Sequence, residues 1–65
     1  MFKIAKIVTE VSLNQEFDYE IPEELVNKLK IGSQVEIPFN NRNVKGFVVG
    51  FSDFSHYKEN LKSIL

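Results

Sequence analysis

The alternation of apolar and polar positions divides the 65-residue chain into short extended runs separated by polar turns. Residues 2–11, FKIAKIVTEV, are rich in Ile, Val and Phe and predict a strand, with Lys3, Lys6 and Glu10 on its solvent side. The alternation is imperfect, which predicts a bend or bulge near Ala5-Lys6. Ser12 to Glu16 reads as a polar connector, and Phe17 to Ile21 as a short second strand. In that strand Phe17, Tyr19 and Ile21 share one face while Asp18 and Glu20 share the other. Pro22-Glu23-Glu24 has the chemistry of a helix start, because proline suits the first helical position and carboxylates suit the positive end of the dipole. Leu25 and Leu29 fall on one face, Lys28 and Lys30 lie near the negative end, and Gly32 supplies the break. Two turns of helix need packing against a sheet to persist.

Ser33 to Phe39 alternates clearly, with Val35, Ile37 and Phe39 on one side and Gln34 and Glu36 on the other. Pro38 cannot donate to a ladder, so this strand ends or lies at an edge there. Asn40-Asn41-Arg42-Asn43 predicts a turn, and Val44 to Phe51 returns to complete a hairpin. Gly46 and Gly50, four apart, are expected on one face, where they permit curvature or close packing. Residues 53–60 are polar apart from Phe54 and Tyr57, and Leu61 to Leu65 predicts a last strand. The pattern as a whole predicts a mainly β (small α+β) domain spanning residues 1–65. Its expected form is a compact, partly closed small β-barrel of four or five short strands with one short helix.

Composition supports a single small core: 43% of residues are hydrophobic and six are Phe. A chain this short buries only about 60% of its unfolded surface. With no cysteine there is neither a disulfide nor a thiolate metal site, and no apolar run approaches the ~20 residues of a membrane span. The expectation is a soluble, intracellular domain. Eight Lys and Arg against nine Asp and Glu leave a net charge of −1, which argues against coating nucleic acid by bulk electrostatics.

Catalytic motifs are lacking. Gly32, Gly46 and Gly50 fit neither the phosphate loop nor the dinucleotide fingerprint. His56 lies near Ser52, Asp53 and Ser55, but adjacency in a loop does not supply the geometry of a triad. Glu23 and Glu24 are explained by helix-start electrostatics. An enzyme acting alone is not expected. The awkward residue is Asp18, a carboxylate between two aromatic rings in a strand, where Asp is depleted. On the residues alone, core packing explains Phe17 and Tyr19 better than ligand binding does. Lys62 then reads as a solvated lysine, and Arg42 and Lys45 as solubilising charges at the hairpin tip.

The segments F-D-Y-x-I-P at 17–22, K-x-G-x-x-V-x-I-P-F at 30–39, G-F-V-V-G at 46–50 and L-K-S-I at 61–64 occur in one order and at compatible spacing. Together they resemble the N-terminal 3′-end DNA-binding domain of bacterial primosomal protein N-prime, the replication-restart helicase, over nearly the whole chain. The resemblance implies a module that captures the free 3′ end of a nascent strand at a stalled or branched fork. It assigns the terminal-nucleotide pocket to Phe17, Asp18, Tyr19, Asn40 and Lys62. The family pattern has glycine where Asn40 stands; Asn tolerates left-handed angles, so a main-chain contact survives, but its side chain narrows the space.

The same resemblance makes the chain an N-terminal fragment of an ATP-dependent 3′-to-5′ DNA helicase, as its apolar end without a polar tail also suggests. No cofactor is expected in residues 1–65, while ATP, magnesium and structural zinc belong to other domains of such a parent. Implied partners are single-stranded and fork DNA with a free 3′-OH, the helicase core in cis, single-stranded DNA-binding protein and other primosome proteins. The implied setting is the bacterial cytoplasm, with nucleoid association and no membrane.

Physical chemistry is compatible with that role. A terminal base offers a π-face to an aromatic ring, worth ~1–3 kcal/mol and tolerant of base identity. Asp18 can accept a hydrogen bond from a terminal hydroxyl while repelling a phosphate placed there. Lys62, Arg42 and Lys45 offer phosphate contacts. With few cations the affinity should be modest and only mildly salt-dependent, which suits a module tethered to a larger binder. Two alternatives stand beside it: a small RNA- or ribosome-binding barrel indifferent to the 3′ hydroxyl, and a protein-binding barrel that docks a partner through an edge strand or the Phe51, Phe54 and Tyr57 cluster.

Overall fold

The computed structural model describes residues 2–54 and 61–65. Four strands, β1 (Ile4–Thr9), β2 (Ser12–Glu20), β3 (Gln34–Phe39) and β4 (Arg42–Ser52), form one antiparallel sheet in the order β2-β1-β4-β3. The mainly β class expected from the alternation holds. Among the described residues no helix is long and apolar enough to cross a membrane. His56 and Tyr57 lie outside the described residues.

One face of the sheet carries the core. Ala5 and Ile7 of β1, Tyr19 of β2, Ile37 of β3 and Val44 and Val48 of β4 are buried together with Ile21 and Ile64. This is the period-2 pattern of a sheet packed on one side. Gly46 sits in the middle of that face because nothing larger fits: an added Cβ would lie 2.5 Å from Ile7 Cγ2 and 3.2 Å from the Val8 carbonyl oxygen.

The β3–β4 hairpin is tighter than the four-residue turn expected. Phe39 pairs with Arg42, leaving Asn40 and Asn41 as a two-residue turn with φ of 51° and 67°. Positive φ at both central positions matches the right-handed twist of the flanking strands, and Asn is among the few side chains that accept it. Arg42 and Asn43 therefore belong to β4.

Other expectations are corrected as well. Ser12 to Glu16 is not a connector but the first half of β2. Its side chains from Leu13 to Glu16 are exposed, so no apolar alternation marks it. Pairing runs in register from Ile4↔Glu20 to Ile7↔Phe17 and resumes at Thr9↔Ser12, so residues 13–16 stand opposite Val8 alone. Gly46 and Gly50 do not share a face. Lys6 pairs with Gly50 but Ile7 pairs with Val48, so Val49 is an extra residue that reverses the alternation between the two glycines. The irregularity expected near Ala5-Lys6 is this one, with its extra residue on β4.

The expected two-turn helix is only a 3-10 turn, Glu23–Leu25, with Pro22 just outside it at φ −58° and ψ 147°. Too few residues are available for helical cooperativity, and half-buried Leu25, Val26 and Leu29 pack on the core from a loop instead.

The sheet is curled but is not closed into a barrel: β2 and β3 are its two edges. Across the packed face the Tyr19 hydroxyl donates to the Pro38 carbonyl at 2.6 Å, and Phe17 meets Phe39 edge-on with centroids 5.1 Å apart. In place of a last strand, residues 61–65 make one parallel bridge, Glu20↔Ser63. Glu20 N–H donates to the Lys62 carbonyl, Ile64 N–H to Glu20, and Leu65 N–H to Glu36. The C-terminal segment thus ties the two edge strands at one level.

Candidate nucleic-acid interface

The F-D-Y segment lies near the end of edge strand β2, and alternation sends its side chains to opposite faces. Tyr19 is 5% exposed, packed in the core with its hydroxyl on Pro38, and burial raises its phenol pKa above the usual 10. Phe17 is half-buried against Phe39. Both rings therefore contact the end of β3 that leads into the β3–β4 turn. Asn40, exposed and left-handed, follows Phe39 directly.

Asp18 points to the other face. Its side chain is 4% exposed, and Oδ1 accepts a 2.8 Å charge-assisted hydrogen bond from Lys6 Nζ, on a side chain 27% exposed. A carboxylate so withdrawn from water requires such a partner. The partner is positioned by the ladder: Lys6 is the direct cross-strand neighbour of Asp18 on one side and of Gly50 on the other. The lysine stem passes over Gly50, its Cβ and Cγ at ordinary contact distances of 3.6 and 3.5 Å from where a glycine-borne Cβ would stand. Sequence reasoning placed Lys6 at a solvent-facing position and missed this role. Only the β1–β2 register reveals it.

The remaining residues are distributed along the edges. Lys62 is exposed, and its carbonyl is held by Glu20, two residues beyond Asp18. Arg42 is exposed at the base of the Asn40-Asn41 turn, and Lys45 is exposed opposite Glu36. The structure thus brings Phe17, Tyr19 and the segment leading to Asn40 together on the packed side, with Lys62 near the β2 end and Asp18 with Lys6 on the outer side. No register shift occurs from Ile4↔Glu20 through Ile7↔Phe17, so the three F-D-Y side chains do not converge on one face. What they share is the β2 main chain.

An open cavity of about 430 Å³ is lined by Lys3, Ile4, Glu20, Ile21, Glu23, Val26 and Asp53. With three carboxylates against one lysine it is unsuited to phosphate. Among the described residues no group of His, Cys, Asp or Glu side chains is placed to hold a metal ion.

A small antiparallel sheet with an ion-paired carboxylate on its edge strand has the character of a binding module. More particularly, residues 6–65 match the PriA 3′ DNA-binding domain (3′BD), and the chain belongs to that family of DNA-binding domains. It is similar to the replication restart protein PriA of Bacillus subtilis, with 35% identity over 54 residues, covering 78% of this chain and 7% of the relative. The chain therefore spans a small part of the length of that relative. No solved structure matches it.

Proposed function

We propose that this domain recognises the free 3′ end of a nascent strand at stalled or branched replication forks, for a restart helicase that reloads the replication machinery. The observation that carries this reading is Asp18: a nearly buried carboxylate, held in a defined position on the edge strand of a 3′ DNA-binding family member. Core packing alone would have favoured an apolar residue there, because burying a paired charge rarely stabilises more than an apolar side chain of similar size. Asp18 accepts a hydrogen bond from the terminal nucleotide beside the Phe17–Tyr19 main chain, and the Asn40 turn meets the strand from the packed side. Lys62, Arg42 and Lys45 meet the last phosphates. In this reading the parent protein contributes ATP-dependent 3′-to-5′ unwinding, with ATP, magnesium and structural zinc in other domains. Its helicase core supplies further DNA contacts in cis, and single-stranded DNA-binding protein and other primosome proteins assemble on it in the bacterial cytoplasm, at the nucleoid.

Fluorescence anisotropy tests the reading. The domain is expected to bind single-stranded or fork DNA ending in 3′-OH more tightly than the same DNA ending in 3′-phosphate. Asp18→Ala is expected to weaken binding of the hydroxyl end while the circular dichroism spectrum stays that of the folded sheet. Equal affinity for both ends would rule out end recognition.

A second reading has one observation in its favour. Phe2 stacks on Phe51 with centroids 5.7 Å apart, and Phe54 is 72% exposed, so this end of the sheet carries aromatic surface suited to a protein partner. Retention of DNA binding by Phe54→Ser would separate such a surface from the DNA site.

A further inference from the structure

We propose that Lys6 is a specificity-determining residue for end recognition: by pairing with Asp18 it cancels much of the carboxylate's charge and so sets how strongly a 3′-hydroxyl is preferred over a 3′-phosphate. The inference rests on the reading of Asp18 as the end-sensing group and extends it to a residue that the F-D-Y segment does not contain.

Three features support it. Lys6 Nζ lies 2.8 Å from Asp18 Oδ1, close enough that a phosphate a few ångströms away meets a dipole more than a full negative charge. The side chains are withdrawn from water to 4% for Asp18 and 27% for Lys6, so solvent screens the pair less than it would a surface bridge. Lys6 is also fixed from both sides, opposite Asp18 on β2 and opposite Gly50 on β4, with its stem lying over the glycine. This geometry gives the lysine two opposed effects. It holds the acceptor in place for a hydroxyl, and it moderates the repulsion that a bare carboxylate would exert on a phosphate. The wild-type preference is therefore a compromise that either partner can shift.

The test measures dissociation constants by anisotropy for one labelled single-stranded oligonucleotide ending in 3′-OH or in 3′-phosphate, at low salt, and compares their ratio among variants. In Lys6→Gln the carboxylate loses its counter-charge, and preference for the hydroxyl end widens by about fivefold or more. In Asp18→Asn, which keeps the side-chain shape, the lysine loses its counter-charge and binding of the phosphate end rises above wild type. The double variant loses that gain, and Lys6→Arg keeps a ratio near wild type.

A folded Lys6→Gln domain with the wild-type ratio would overturn the inference. If Lys6→Gln does not fold, Asp18→Asn decides: loss of hydroxyl-end binding without gain at the phosphate end overturns it equally. Should the wild-type domain prefer the hydroxyl and neither Lys6→Gln nor Asp18→Asn move phosphate binding, end recognition stands and the role of Lys6 falls. A wild-type domain indifferent to its DNA ends would remove both.

Discussion

Asp18 and Tyr19 are neighbours on β2, yet the two faces of the sheet use them in opposite ways. Tyr19 enters the packed face, where its ring meets the apolar core and its hydroxyl satisfies the Pro38 carbonyl. Asp18 enters the outer face, where its carboxylate is ion-paired with Lys6. The glycines of β4 repeat the contrast. Gly46 lies on the packed face with no space for a methyl group, whereas Gly50 lies on the outer face at ordinary contact distance from Lys6. The packed face is therefore specified by volume and the outer face by charge, and the Val49 bulge lets one strand serve both.

The strongest challenge to this contrast is Ile7→Ala. Ile7 is fully buried at the centre of the packed face, and the truncation is expected to cost about 2–5 kcal/mol, enough to unfold much of so small a domain. Urea denaturation followed by circular dichroism would measure it. Next in size, Gly46→Ala should cost about 1–3 kcal/mol by overpacking against Ile7, while Gly50→Ala stays within about 0.5 kcal/mol. Equal costs for the two glycines would show that the faces do not differ as described.

Tyr19→Phe isolates the polar part of the packed face. Loss of the hydrogen bond to Pro38 should cost about 1 kcal/mol at neutral pH. Because burial raises the tyrosine pKa in the folded state, its contribution is full below about pH 10 and declines as pH rises through the folded value. The Phe variant should lack this alkaline component, so the difference between the two proteins narrows in strongly basic solution.

Much of the architecture was legible because alternation is a local property. Val35, Ile37 and Phe39, then Val44 and Val48, announce the β3–β4 hairpin, and Asn40-Asn41 supplies the residues its turn demands. The packed side of Phe17, Tyr19 and Ile21 was legible for the same reason. The first half of β2 was not, since Leu13 to Glu16 are all exposed and carry no alternation, and of this half only Ser12 is in register with a β1 residue. Nor was the helix legible as it stands: Pro22, Glu23 and Glu24 mark a start, but only packing decides whether a turn propagates. Family motifs carried the candidate site further than spacing did. They pointed to the F-D-Y segment and left Lys6 unmentioned.

By itself the sequence determined the strand-rich character, an asparagine-rich turn between the last two strands, the apolar face and membership of a DNA-binding family. Each of these depends on residue types and their order over short distances. Tertiary structure decided which edges face each other, on which side Gly50 lies and which lysine meets Asp18. These depend on register. One inserted residue, Val49, exchanges the faces of everything beyond it, and the ion pair exists only because twelve residues of chain return Asp18 to a position directly opposite Lys6.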